Sequence, residues 1–372
     1  MKGLFQFALG CWLVAGSDFA ATAGFSSLQV FGDGVSTTTN NPFAGQYYYG
    51  LRRSNGRVWV EVLAERLGLG ANSVTNVNWS NASNNWSYYG QYSFNLMTNV
   101  NSFATPTNVQ TALFVVWVNN ADFVNYMGTI YPSTNIVTWT NAINQSLTNH
   151  YNIVTNLYAK GVRTLLMPNA VDVTEIPAYD NLQVSAPATR NFIRQQVIGF
   201  NVGFSQIVNR AKTDCPGLTI YVPDFFALLD NVLTNAAAYD LTNALYNGVS
   251  IDAYDDPALY ATLAINGPGT NYIFWDKSDP TAKLHAVIAD LAHQIISPVQ
   301  IAKITLLNGS NRLDVANVPI GLDGFVRGST NLLDWADVQG FSSSNATQTV
   351  VVPPSSALMF YRLRFPYAWS WP

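Results

Sequence analysis

Between residues 112 and 296 the chain alternates short apolar runs with longer amphipathic ones, and this alternation restricts the fold more than any other feature. Ala112–Val118, Val162–Met167, Leu218–Val222 and Asn271–Trp275 are apolar runs of strand length. Among and after them, Ile143, Leu147, Tyr151, Val154 and Tyr158 mark one face of a long helix that ends at Gly161. Residues 186–212 read as a second helix, and Leu284, Val287, Ile288, Leu291 and Ile295 form the inward face of a last one. The helical segments repeat near every 3.6 residues, whereas the short runs are nearly all apolar. Strands that are apolar on both faces and alternate with helices indicate a parallel sheet covered on both sides. The expected fold is therefore α/β, a doubly wound parallel sheet with flavodoxin-like layering and right-handed crossovers.

Earlier in the chain, residues 27–31 read as a first strand that ends at Gly32-Asp33-Gly34. A helix is expected over residues 58–69, where Trp59, Val62, Leu63 and Leu67 share a face and Gly68 and Gly70 end it. Residues 72–108 are rich in Asn, Ser, Thr and aromatics. They read as loops over the top of the domain, with Trp79, Trp86, Tyr88, Tyr89 and Tyr92 expected to be buried.

The pattern changes at Ser297-Pro298. Beyond it come short candidate strands at 301–307, 324–327, 347–352 and 359–363, separated by turn signals such as Asn308-Gly309 and Asp323-Gly324. This predicts a small β-sandwich-like module over 299–372, following a main domain over 24–297. Its aromatic end, Phe365 to Pro372, is expected to pack on the module. Residues 1–23 read as a signal for export: Lys2, an apolar stretch from Leu4 to Val14, and a small-x-small site at Ala21-Thr22-Ala23. The expected location is periplasmic, cell-surface or extracellular, with no membrane span in the mature chain. Cys11 leaves with the signal, so Cys215 is expected to be a lone packing residue.

Composition narrows the partners. Only 11% of the 372 residues are charged and the net charge is −4, with no stripe of Lys or Arg. Nucleic acid is not expected as a partner, and nothing in the chain calls for a cofactor.

In an open parallel sheet, ligands sit beyond the carboxyl ends of the strands. Three acidic loops leave those ends: 32–34, 119–122 and 276–279. None carries histidine. The three histidines, His150, His285 and His293, fall on helices and are read as structural. A Ser-His-Asp relay needs its base within hydrogen-bond reach of the nucleophile, and the residues alone supply no such pair. Ser36 and Ser278 are nearby hydroxyls with no basic partner in view.

Five ordered segments carry a more specific signal. Phe31-Gly-Asp-Gly-Val-Ser36 is similar to Phe-Gly-Asp-Ser-Leu-Ser, and Asn55-Gly-Arg-Val-Trp-Val-Glu61 resembles the stretch that commonly follows it. Asn85-Trp-Ser-Tyr-Tyr-Gly90 resembles Asn-Phe-Ala-x-Gly-Gly. Trp117-Val-Asn-Asn-Ala-Asp-Phe123 resembles Trp-Ile-Gly-x-Asn-Asp-Phe, and Trp275-Asp-Lys-Ser-Asp-Pro-Thr281 resembles Trp-Asp-x-x-His-Pro-Thr. Together these segments resemble the SGNH/GDSL lipase/esterase family over residues 24–297. The resemblance implies hydrolysis of carboxylic esters by a Ser-His-Asp site. It also implies which positions depart from that site. Gly34 stands at the serine nucleophile, Asp279 at the catalytic histidine and Ala121 at the asparagine that donates to the oxyanion. Gly90 and Asp276 keep the family's glycine and its orienting aspartate. Asp33 and Asp122 are read as acceptors for backbone N–H groups at strand–helix turns.

Glycine has no nucleophilic atom, and an aspartate with a pKa near ~3.9 is a poor base for a hydroxyl. Loss of an oxyanion donor costs roughly 10²–10³ in rate. A pocket with Asp33, Asp276 and Asp279 near one another is expected to be negative. The leading reading is a ligand-binding pseudo-hydrolase with Asp33, Gly34, Gly90 and Asp279 at the ligand, which would be a small acyl ester or an acylated glycan. Two alternatives are carried: an ester hydrolase with an Asp-activated water, and a divalent-cation site at Asp276, Asp279 and Asp33.

Overall fold

The computed structural model describes residues 24–39, 45–70, 74, 84–307, 309–354, 358–366 and 370–371. The export signal over 1–23, Cys11, Trp79 and residues 367–369 and 372 of the aromatic end lie outside these residues.

Four parallel strands form the central sheet in the order β1 (Leu28–Gly32), β2 (Leu113–Trp117), β3 (Thr164–Leu166), β4 (Thr219–Tyr221). Every residue of β1 and β2 is buried; β2 is apolar throughout, and the one polar side chain of β1, Gln29, donates to the Asn84 side-chain oxygen at 3.2 Å. On the far side of β1, Val30 bridges Asn85 in parallel: its N–H donates to the Asn84 carbonyl at 2.8 Å, and its carbonyl accepts from Trp86 N–H at 2.7 Å. The chain thus leaves β1, returns on one side at residues 84–86, then crosses to β2 on the other. Strand order reverses at β1, and a cleft opens where crossovers diverge in this way.

Helices cover both faces. Helix α1 (Trp59–Arg66) follows β1. Beyond the bridge lie α2 (Ser93–Ser102) and, after β2, α3 (Asn119–Thr129) and α4 (Ile136–Ala159). A single turn, α5 (Leu182–Ser185), precedes the long α6 (Pro187–Asp214); α7 (Phe225–Thr234) follows β4. A two-residue hairpin, β5 (Leu245–Tyr246) with β6 (Val249–Ser250), precedes α8 (Ala282–Ile296). Helix α1 packs against α8 on one face, while α4 packs against α6 and α2 on the other. Start signals are visible in the side chains: Asn135 accepts from Val137 and Thr138 N–H, Asp224 from Ala227, and Thr281 from Leu284. Each satisfies a backbone donor that the first helical turn leaves unpaired. Among the described residues no helix is long and apolar enough to cross a membrane.

Three expectations need correction. Residues 271–275 do not form a fifth strand of the sheet. Tyr272 bridges Thr242 and Phe274 bridges Pro280, each as an isolated pair. The run is apolar because Ile273, Phe274 and Trp275 are buried, so burial alone produced the strand-like signal. Residues 93–102, expected as loop, form α2; its Leu96 and Val100 face the core four residues apart. Tyr89, expected to be buried, is 50% exposed, whereas Trp86 is buried. Cys215 is buried in the main core, as expected.

The C-terminal part is all antiparallel. One sheet has the order β11 (Thr347–Val352), β8 (Ser310–Ala316), β7 (Gln300–Leu307). The other has the order β10 (Ala336–Phe341), β9 (Gly324–Ser329), β12 (Phe360–Arg364), β13 (Ser370–Trp371). Val299, Leu313, Val315, Val326, Val350 and Leu363 form a second hydrophobic cluster, separate from the main core. The sequence pattern missed β8 and β10. In β8, Leu313 and Val315 point inward while Arg312 and Asp314 stay at the surface, so the run is only half apolar. The module is tied to the end of α1 by two bonds between Ile320 and Arg66: Ile320 N–H donates to the Arg66 carbonyl, and Arg66 Nη1 donates to the Ile320 carbonyl at 3.0 Å.

Candidate functional site

The three acidic stretches do converge, although 119–122 is the first turn of α3 rather than a loop and no strand of the sheet precedes 276–279. Asp33 and Gly34, Asn120 and Ala121, and Ser278 and Asp279 all line one cavity of about 140 Å³ at the carboxyl ends of β1 and β2, joined by Gly90. Asp33 caps a short turn over Gly34–Ser36, accepting the Val35 N–H at 3.1 Å. Burial pushes its carboxyl up to about 7, against the pull of backbone N–H groups at Val35 and Ala121. Gly90 has φ +76, a left-handed backbone that favours glycine. Asp122 turns away from the cavity, accepting Ser93 N–H at 2.9 Å and the Ser146 hydroxyl at 2.5 Å. That is the structural role expected of it.

Gly34 is not an open gap. A Cβ added there would lie 3.0 Å from Cδ2 of Tyr89 and 3.6 Å from Cδ of Arg53. These two residues form a stack, with the Arg53 guanidinium carbon 4.0 Å from the centre of the Tyr89 ring. Arg53 Nε donates to Asp279 Oδ2 at 2.9 Å, and its Nη2 lies 3.8 Å from Asp276 Oδ2. Asp276 is held in turn by the Tyr48 hydroxyl at 3.0 Å and by the backbone N–H groups of Ser278 and Asp279. The loop that carries Arg53 is clasped to the one that carries the acids. Ser54 Oγ donates to the Pro280 carbonyl, and Trp275 Nε1 donates to the Tyr47 carbonyl.

Arg53 corrects the expectation of an uncompensated negative pocket. Burial lowers the guanidinium pKa, but Asp279 and Asp276 outweigh it and the net shift is upward, so Arg53 stays a cation. Asp279 also differs from the weak base that an ordinary, solvated aspartate would be. Burial raises its carboxyl well above the usual range and Asp276 adds to this, with Arg53 opposing. The cation that the metal reading placed between Asp276 and Asp279 has its counterpart in this guanidinium. Among the described residues no three His, Cys, Asp or Glu side chains are grouped to hold a metal ion.

Among the described residues no histidine lines the cavity. His285 accepts the Trp59 N–H at Nδ1, and burial pushes it down to about 3; His293 is likewise pushed down to about 3. A buried Ser146, His150 and Asp122 do cluster behind α3, but the bonds run the wrong way for catalysis. Ser146 donates to Asp122 rather than to His150, whose Nδ1 lies 2.8 Å from the Ser146 carbonyl. Ser36 Oγ accepts from Trp59 Nε1 at 3.0 Å, and Ser278 lines the cavity with no histidine beside it.

Gly34, Gly90, Ala121 and Asp279 line one cavity and Asp276 accepts the Asp279 N–H; Arg53, Tyr48 and the covering role of Tyr89 were not expected from the sequence. A signal for Arg53 existed. Arg52, Arg53 and Arg57 fall within six positions in a chain of 372 residues with only 18 Lys and Arg.

Comparison with known proteins gives a consistent family. The model of the GDSL-like lipase/acylhydrolase family matches residues 28–292, and the chain belongs to that family. Two GDSL esterase/lipases of Arabidopsis thaliana are similar to it. One is 22% identical over 331 residues, covering 75% of this chain and 88% of the relative. The other is 23% identical over 334 residues, covering 76% and 86%. Among solved structures, the acetylxylan esterase Axe2 of Geobacillus stearothermophilus is 13% identical with a TM-score of 0.41, covering 73% of this chain and 95% of its own. The α/β hydrolase LAE5 from the metagenome of Lake Arreo, Spain, is 13% identical with a TM-score of 0.42, covering 76% and 99%.

Proposed function

We propose that this member of the GDSL-like lipase/acylhydrolase family binds an acyl ligand without forming an acyl-enzyme. One observation carries the reading. The nucleophile position is a glycine covered by the Tyr89 ring, and the base position is a carboxyl bonded to Arg53 at 2.9 Å. A covalent route needs a nucleophilic atom and a base in contact with it, and the serine that lines the cavity, Ser278, has no histidine beside it. The ligand is a small acyl ester or an acylated glycan, held by Asp33, Gly34, Gly90 and Asp279. The start of the chain supports export, and residues 299–372 act as a separate module that presents the 24–297 domain outside the cell.

Purified protein tested on short-chain nitrophenyl esters is expected to show no turnover above buffer. Turnover that disappears when the cavity is altered would overturn the reading. A second reading has one observation in its favour: Asp33 and Asp279 are buried carboxyls with raised pKa lining one cavity, a pairing able to activate water. If that reading holds, Asp279→Asn abolishes hydrolysis; turnover that survives the change sinks it.

A further inference from the structure

One end of the C-terminal module gathers leucines outside any core. β7 turns back into β8 there, where Leu307 pairs with Ser310. β11 reaches the same end at Val352, opposite Asn311, and β9 and β12 reach it where Ser329 pairs with Phe360. Asn311 Nδ2 donates to the Tyr361 hydroxyl at 2.8 Å, which joins the two sheets at this end. Leu333, Leu358 and Leu306 are 83%, 80% and 72% exposed, and Leu332 and Leu307 are more than half exposed. The opposite end is the one tied to the main domain, through Ile320 with Arg66 and through Asn317 Nδ2 donating to the Pro298 carbonyl. The five leucines, from three separate stretches of chain, thus form a tip remote from the main domain.

The turn over 329–335 is built to hold its leucines outward. Ser329 Oγ accepts the Leu332 N–H at 2.8 Å, and Asn331 Oδ1 accepts the N–H groups of Leu333 and Asp334 at 2.9 Å. Trp335 Nε1 donates to the Leu332 carbonyl at 3.0 Å. Leu332 has φ +64, a left-handed backbone that glycine adopts freely and leucine only under strain. Strain of this kind, spent on keeping an apolar side chain in water, marks a surface that meets a partner.

We propose that this tip docks the protein on a phospholipid bilayer, with the leucines among the acyl chains and Arg362 at the level of the phosphates. Behind the leucines stand the rings of Phe360 and Trp335, and the Arg362 guanidinium carbon lies 4.2 Å from the centre of the Trp335 ring. Arg327, opposite Arg362 on the neighbouring strand, pairs with Asp337. Among the described residues no carboxylate lies within ion-pair reach of Arg362 itself, so a lipid phosphate would supply the anion it lacks. The one acid in the turn, Asp334, accepts from Asn331 Nδ2 at 2.8 Å. Apolar tip, aromatic rings and then a cation is the order of layers at a bilayer surface. Leucines on three separate stretches suit fluid lipid, which closes around each one. A protein partner of stable affinity would need a continuous surface of roughly 800 Å². The proposal is independent of the cavity reading, because docking at the tip needs no ligand beside Gly34.

The test is co-flotation of the exported form, residues 24–372, with vesicles of equal parts phosphatidylcholine and phosphatidylglycerol. The wild type is expected to float with the vesicles. The triple variant Leu306→Glu, Leu333→Glu, Leu358→Glu changes only exposed side chains and is expected to bind at least about ten-fold more weakly with an unchanged melting profile. Leu306→Glu and Leu333→Glu alone, on different stretches, should each weaken binding, and they carry the test if the triple variant melts early. Arg362→Gln is expected to weaken binding at least about three-fold. Val202→Glu, at an exposed position of α6 in the main domain, should bind as the wild type does. A wild type that stays with the free protein would overturn the proposal, as would a triple variant within about three-fold of it or an equal loss with Val202→Glu. Unchanged binding by Arg362→Gln would overturn the phosphate contact. Sedimentation velocity without vesicles covers the other occupant: self-association of the wild type that the triple variant abolishes would assign the tip to a second copy of the chain and overturn the bilayer.

Discussion

Arg53 Nε lies 2.9 Å from Asp279 Oδ2, across 226 positions of sequence. The pair links the loop before α1 to the loop before α8. Through Tyr89 it also covers the backbone at Gly34, the position that the family motif gives to its serine. Changing either partner has structural as well as functional consequences.

The pair should behave as a buried ion pair in urea denaturation. Arg53→Met leaves two buried carboxyls without their cation, and a loss of about 3–5 kcal/mol is expected. Asp279→Asn leaves Arg53 with Asp276 and an amide oxygen, so a smaller loss of about 1–2 kcal/mol is expected. The double variant should be more stable than the sum of the two losses predicts. Strict additivity would show that the contact contributes nothing.

Restoring family residues alone should not restore esterase activity. Gly34→Ser with Ala121→Asn and Asp279→His places a serine Cβ 3.0 Å from the Tyr89 ring. It also sets an imidazole where Arg53 expects an anion. Adding Tyr89→Ala and Arg53→Leu removes both obstacles. Turnover of nitrophenyl acetate is expected to be at least about 100-fold higher in the five-fold variant than in the three-fold one, the scale of one general-base contribution. Equal rates in the two variants would rule out the Arg53–Tyr89 cover as the obstacle.

Asp33 and His285 should shape the pH dependence of stability in opposite directions. Asp33 has a folded-state pKa of about 7. Between about 4 and 7 the folded state holds a proton that the unfolded chain has lost, so this group lowers stability as pH rises. Asp33→Asn keeps an acceptor for the Val35 N–H and removes the titration. Its stability relative to the wild type is expected to rise by up to about 4 kcal/mol between pH 4 and 8. His285, pushed down to about 3, works the other way. Its contribution is intact above about pH 6.5 and is lost as pH falls toward 3, because only the unfolded chain takes up the proton. His285→Gln should therefore flatten the acid side of the profile. Denaturant titrations at stepped pH on the three proteins would reveal either slope with the wrong sign.

Gly90 is a conformational requirement rather than a space requirement. An added Cβ meets only the Tyr92 hydroxyl, at 3.8 Å, while φ is +76. Gly90→Ala should cost about 1–2 kcal/mol from backbone strain alone. A Tm unchanged from the wild type would show that the loop relaxes freely.

Much of the frame was legible along the chain. β2 was readable as a run with no polar break and β1 as a short run interrupted only by Gln29, and α1, α4, α6 and α8 as helical segments. These signals are local, because a strand buried on both faces or a helix with one buried stripe writes its environment into consecutive residues. The meeting of Asp33 and Ala121 followed from the order of β1 and β2, whereas Asp279 reaches the same cavity from a segment that no strand precedes. The same logic misled at 271–275, where buried residues sit in irregular backbone, and at β8, where outward charges hid a half-buried strand.

The sequence by itself determined the α/β alternation, the family motifs and the absence of serine and histidine at positions 34 and 279. Only the tertiary structure decided what replaced them. Arg53 meets Asp279, Tyr89 lies over Gly34, and the bridge of Val30 to Asn85 reverses the strand order that opens the cleft. The physical reason is sequence distance. A period or a motif is carried by neighbours along the chain, whereas an ion pair between residues 53 and 279 exists only after the sheet has brought its loops to one end.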